Sequence, residues 1–174
     1  MKLNNKGFTL VELLAAMVIL AAIMVIAVPN IMGILNNSKA DAYVEDAKKL
    51  LSLAEYKIRA NPDLRPESVG GCTKLTLKYL DNSEFKNAPN NGTYDQTKSF
   101  VVVTRKADKS GKKQYDYAVT IVEKIDGAGT RGISNQAYSD LYNDDPSDLV
   151  VNSPAASKSC GKEFGVNWLS ILYD

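Results

Sequence analysis

Residues 4–29 read NNKGFTLVELLAAMVILAAIMVIAVP, and the reading of the whole chain turns on why the carboxylate of Glu12 stands at the head of this apolar run. From Leu13 to Val28 there is no charged or amide side chain, and only Asn, Pro and Gly interrupt the apolarity before Ser38. A stretch of this kind approaches the ~20 apolar residues that span a bilayer core. Two readings compete with a retained membrane helix. One is a secretory signal with Lys2 and Lys6 at its basic start, although the run exceeds the usual ~7–15 residues and no clear small-x-small site follows. The other is a buried core helix, which fits poorly because the stretch is apolar on every side. An acid inside hydrocarbon costs ~2.5–3.5 kcal/mol on insertion scales. Glu12 is therefore either functional or an interfacial residue that reaches water near the helix start.

The combination KGFTLVE at residues 6–12, ahead of the long apolar helix, resembles the processing site of type IV prepilins: a short basic leader ending in glycine, then phenylalanine, then glutamate four residues on. The resemblance implies that a prepilin peptidase cuts between Gly7 and Phe8 and N-methylates the new amine of Phe8. Glu12 then acts in subunit assembly, as the partner that the Phe8 amine of a neighbouring subunit needs when buried among identical helices. Methylation keeps the positive charge, so the pair survives it. Pro29 and Gly33 mark a helix kink, since proline removes a backbone donor and clashes one turn back. A proline at this distance from the cleavage site also resembles the type IV pilin pattern.

The class that this implies is a structural subunit of an extracellular type IV pilus, serving adhesion, motility or surface colonisation. It is stored as a single-pass precursor in the bacterial inner or cytoplasmic membrane and polymerised by helix packing into a filament at the cell surface. The implied partners are other pilins in a homo-oligomeric filament, prepilin peptidase, an assembly ATPase and a polytopic platform protein. A pseudopilin of a type II secretion or DNA-uptake system is the alternative within the class. A non-polymerising single-pass membrane protein with an exported binding domain is the alternative outside it. The large, turn-rich head leans towards a pilus.

Composition narrows the chemistry. The 174 residues carry 21 basic and 20 acidic side chains and no histidine. The near balance gives no basic footprint for nucleic acid, and no specific nucleic-acid partner is expected. The missing histidine removes Ser-His-Asp and Cys-His catalysis and His-containing zinc sites. No catalytic residue, cofactor or metal site is read, and the chain is not expected to be an enzyme.

Beyond the apolar run, Ala40, Tyr43, Ala47, Leu51, Ala54 and Ile58 recur every three or four residues, with Asp41, Glu45, Asp46, Lys48 and Lys49 mostly on other faces. This predicts an amphipathic helix that stops at Asn61-Pro62. One helix from Phe8 to about Ala60 measures roughly 80 Å. The expected organisation is a leader at residues 1–7, an apolar membrane and filament-core helix at 8–35, an amphipathic continuation at 36–60 and a globular head at 61–174.

In the head, SFVVVTRK and QYDYAVTIVEK read as strands joined by the polar loop ADKSGKK into an antiparallel hairpin. EFGVNWLSILYD reads as a final strand carrying Trp168, and CTKLTLKYL is open between strand and short helix. KNAPNNGTYD and the segment 126–157 are turn-rich and read as exposed. The fold class is α+β, a long helix packed on a small antiparallel sheet.

Cys72 and Cys160 are the only cysteines, and in an exported protein an even count points to one disulfide, the other reading being two separate thiols. Such a bond is worth ~4–5 kcal/mol in the chain-entropy model. Many pilins place both cysteines towards the C-terminus, whereas Cys72 comes early, so their disulfide loop and its adhesive roles do not carry over. Asp140, Asp144, Asp145 and Asp148 lack EF-hand spacing. They read as a solvated acidic loop, with calcium kept only by analogy to pseudopilins. RKADKSGKK holds five basic residues in nine and reads as a soluble hairpin tip.

Overall fold

The structure, a computed structural model, describes residues 9–80, 83, 85–107, 113–127, 129–155 and 159–165. Gly7, Phe8, the loop residues 108–112 and Trp168 with its neighbours lie outside the described residues. The chain divides into two compact units, residues up to Asn37 and residues from Ser38 onward.

Helix α1 runs from Leu10 to Ala60. In the second unit it buries Ala40, Tyr43, Val44, Ala47, Leu50, Leu51, Ala54 and Ile58, a stripe that recurs at three- and four-residue steps. Its end is capped: Asn61 N–H donates to the Lys57 carbonyl (2.9 Å), and the Arg65 guanidinium donates to the carbonyls of Ile58 (3.0 Å) and Arg59 (2.9 Å). Those bonds satisfy carbonyls that a helix end leaves open.

The stripe packs on a mixed, mostly antiparallel sheet. The strands are β1 (Cys72–Thr76), β2 (Thr93–Tyr94), β3 (Phe100–Lys106), β4 (Gln114–Ile125), β5 (Gly129–Ala137), β6 (Val150–Asn152) and β7 (Lys162–Phe164). Their order is β6-β5-β4-β3-β1-β7, with β2 also paired to β4. Strands β3 and β4 form the antiparallel pair read from the sequence, in register from Phe100↔Thr120 to Lys106↔Gln114. Among the described residues only β7 is parallel to its neighbour, β1. Alternation along these strands sends Leu75, Val101, Val103, Val119, Ile121 and Ile133 into the core under α1, and Tyr115 and Tyr117 pack partly buried against it. The ambiguous CTKLTLKYL is both things in turn, β1 followed by the short helix α2 (Leu77–Leu80).

Two sequence expectations need correction. Segment 126–157 is not mainly exposed turn: it holds β5, β6 and the short helices α3 (Asp140–Asn143) and α4 (Pro146–Leu149), and it buries Ile133, Leu141 and Leu149. Its glycines misled the reading, because Gly132 is a close-approach residue rather than a turn signal. A Cβ there would stand 1.9 Å from the Ile121 carbonyl oxygen, beside the register shift between Val119 and Ile121. KNAPNNGTYD is likewise not all surface, since Ala88, Tyr94 and Asp95 are buried.

The reason is Glu123, a strand carboxylate with no exposed surface. It accepts hydrogen bonds from the Tyr43 hydroxyl of α1, from the amides of Asn90 (3.1 Å) and Gly92 (2.8 Å), and from Asn90 Nδ2 (3.2 Å). A buried carboxylate is tolerable only when its lone pairs are satisfied, and these donors draw the 88–92 turn down onto β4. Glycine is required at 92, where a Cβ would meet the Lys124 carbonyl oxygen at 2.1 Å. Burial, and then the bond to Glu123, push the Tyr43 hydroxyl well above the usual tyrosine range, so it stays a donor. Close by, the Tyr94 hydroxyl donates to Asp46 of α1 (2.8 Å). Asp95 closes the following turn, accepting from the Thr97 amide and hydroxyl (3.0 and 2.9 Å) and the Lys98 amide (3.0 Å), and pairs with Lys124 (3.1 Å). Burial alone raises its pKa, but the Lys98 and Thr97 bonds and Lys124 outweigh that and hold it down to about 2.

Glu123→Ala leaves the Tyr43 hydroxyl and the Asn90 and Gly92 amides without their acceptor, and is expected to cost about 3 kcal/mol, read as a lowered urea midpoint. A depressed folded pKa means that the Asp95 contribution is complete above about pH 4 and is lost as pH falls towards 2. Thermal melts of wild type and Asp95→Asn are expected to differ most above pH 4 and to converge below it.

Candidate functional site

Thr9 immediately precedes α1, and Glu12 sits in its first turn. The Thr9 amide and hydroxyl both donate to Glu12 Oε2 (2.8 Å each), and the Glu12 amide donates back to Thr9 Oγ1 (3.3 Å). Threonine at the cap with glutamate three positions on is a capping box, which answers two of the donors a helix start leaves open. The negative charge also suits the positive end of the helix dipole. Glu12 thus has a task inside its own chain, where the sequence reading gave it one only between chains. Thr9 was passed over, although its signal, T-x-x-E at residues 9–12, is plain in the sequence. The second carboxylate oxygen, Oε1, takes no hydrogen bond among the described residues.

Behind this cap the large apolar side chains from Leu10 to Leu35 are 49–81% exposed, and the helix is long and apolar enough to cross a membrane. Helix α1 continues through Pro29 and Gly33. Pro29 has no amide proton to offer the Val25 carbonyl. One position along, Asn30 Nδ2 donates to the Ile26 carbonyl (3.1 Å). A Cβ at Gly33 would meet nothing within 4 Å.

In the head, Cys72 and Cys160 are joined by a disulfide with a Cα–Cα distance of 5.2 Å. It ties the start of β1 to the approach of β7, where Thr76 Oγ1 also donates to the Phe164 carbonyl (3.0 Å). Two of the acidic residues after β5, Asp140 and Asp145, are occupied locally. Asp140 accepts from the Ala137 amide (3.0 Å) and the Ser139 hydroxyl (3.0 Å), and Asp145 caps α4 by accepting from the Ser147 amide (2.9 Å). The Ser147 hydroxyl, which also donates to Asp145 (2.6 Å), and then the Ser147 amide hold the Asp145 carboxyl below its ordinary range. Among the described residues no group of three metal-ligating side chains converges. At the base of the basic tip, Lys106 pairs with Asp116 and Arg105 donates to the Glu67 carbonyl.

The prokaryotic N-terminal methylation motif matches residues 2–28. No curated protein and no solved structure matches the chain. The chain therefore carries a prepilin-type leader and is a pilin-like protein, of a structural and not an enzymatic class. The motif implies processing by prepilin peptidase, a membrane-held precursor and pilus-like assembly outside the cell.

Thr9→Ala removes the cap at a cost of about 1 kcal/mol to the first turn. The amides of Val11 to Leu14 are then expected to exchange several-fold faster in detergent micelles, with those of Leu50 and Leu51 unchanged.

Proposed function

We propose that this chain is the structural subunit of an extracellular type IV pilus. The observation that carries the reading is the methylation motif over residues 2–28, which takes in the start of α1, where the large apolar side chains from Leu10 to Leu35 lie exposed. Residues 1–7 are the leader, 8–35 the filament core, 36–60 the continuation of the helix into the head, and 61–174 the head. Prepilin peptidase cuts between Gly7 and Phe8 and methylates the Phe8 amine.

Glu12 then works on two sides. Oε2 closes the helix cap with Thr9, and Oε1 receives the Phe8 amine of a neighbouring subunit. The charge that is costly in lipid is paired once the helix joins others, which favours leaving the membrane for the filament. Helix packing supplies the remaining drive, and small residues help there because they let backbones approach. Gly33 fits that use, since nothing within its own chain requires a glycine. Pro29 and Gly33 together form the bend that fits α1 to its neighbours. The heads, cross-linked by Cys72–Cys160 as suits an oxidising exterior, form the outer surface used for adhesion, motility or colonisation. An assembly ATPase and a polytopic platform protein drive the polymerisation.

Two measurements test this. Mass spectrometry of protein recovered from cells is expected to find an N-terminal peptide beginning at Phe8 and carrying one methyl group; an intact Met1 start in cells with active prepilin peptidase refutes the processing. Glu12→Ala is expected to leave the disulfide and head fold intact while reducing sheared surface filaments at least tenfold. Normal filament yield from that variant removes the pairing.

A further inference from the structure

We propose that the head carries a binding groove for a neutral oligosaccharide alongside α1. The groove holds about 500 Å³, and its lining includes Glu45, Lys48, Lys49, Ser52, Tyr56, Phe85 and Tyr142. That volume lies within the ~300–1,000 Å³ range of small-ligand sites.

Three aromatic rings shape it, and each has a different condition. Phe85 is buried, set edge-on to Tyr94 with centroids 6.3 Å apart, and forms a fixed floor. Tyr142 is 56% exposed yet held upright: it stacks on Tyr138 at 4.8 Å, the two hydroxyls lie 3.1 Å apart, and the Lys48 ammonium covers its ring at 4.2 Å. An exposed wall fixed by its neighbours gives up little conformational freedom on binding. Tyr56 is 67% exposed, and its ring is the open platform of the groove.

The charges decide the class of ligand. Glu45, Lys48 and Lys49 all line the groove, and Lys49 is paired with Asp46 at 3.3 Å, so its two cations stand against two carboxylates. The groove therefore has no surplus cation for phosphates or acidic sugars, and single-stranded nucleic acid, which needs a basic track beside its stacking residues, does not fit it. Aromatic faces with balanced hydrogen-bonding groups suit a molecule whose faces present weakly positive C–H groups and whose edges present hydroxyls. That is the description of an uncharged sugar ring: C–H groups meet the negative face of Tyr56, and hydroxyls meet Glu45, Lys48 and Ser52. The Ser52 hydroxyl donates to the Lys48 carbonyl (3.0 Å), which leaves its oxygen able to accept.

The proposal does not depend on polymerisation, and its test uses the full chain in detergent micelles, titrated calorimetrically with chitotriose, maltotriose and lactose. Saturable binding of at least one sugar is expected, weakened at least tenfold in Tyr56→Ala and abolished in Ser52→Trp, which fills the groove from an exposed position. Near-UV circular dichroism and an intact disulfide check that both variants remain folded. Absence of saturable binding to all three sugars overturns the proposal, as does binding that neither substitution weakens. Silent titrations combined with loss of filament incorporation in Tyr56→Ala assign the groove to an interface between copies, and overturn it too.

Discussion

A carboxylate with no exposed surface is the point on which the head is organised. Glu123 lies in β4 beneath α1 and is answered from two directions, by the Tyr43 hydroxyl of the helix and by the amides of the 88–92 turn. Apolar packing of Ala47, Leu50 and Leu51 on the sheet supplies area without much direction, since such contacts survive small slides and rotations. A hydrogen-bonded carboxylate does not: moving α1 by one residue takes Tyr43 away and leaves a buried acceptor short of a donor. Close approach at Gly92 and the buried position of Tyr94 both follow from that anchor.

Much of this architecture was legible in the sequence, and the gaps have physical causes. The stripe from Ala40 to Ile58 and the hairpin of β3 and β4 were readable because each is a clean period, 3.6 in one case and 2 in the other. Segment 126–157 was not, because Gly129, Gly132 and Asn135 look like turn residues while serving inside or beside a bulged strand. Glu123 was hidden for a different reason. Alternation puts Glu123 on the face of Val119 and Ile121, but nothing local shows what would satisfy a carboxylate there, and only the fold brings Tyr43 to it from 80 residues away.

At the other end of α1 the same residue type plays an opposite part. Glu12 stands out because it interrupts an apolar pattern, whereas Thr9, three residues before it, breaks no pattern. The capping box is a short-range device that needs no partner chain, so it belongs to the precursor as much as to any assembled state. Threonine and glutamate there keep the first turn wound and hold the carboxylate at the head of the helix.

The disulfide gives the head a mechanical character. Cys72 lies just after the segment that leaves α1, and Cys160 just before β7, 88 positions further along the sequence. Tension that enters through α1 and leaves beyond Cys160 passes across one covalent bond and never along the enclosed chain. Roughly 300 Å of polypeptide, at about 3.4 Å per extended residue, is thereby kept from paying out under load. What remains extensible on the helix side is the short stretch from Asn61 to Gly71, so the head behaves as a link of nearly fixed length.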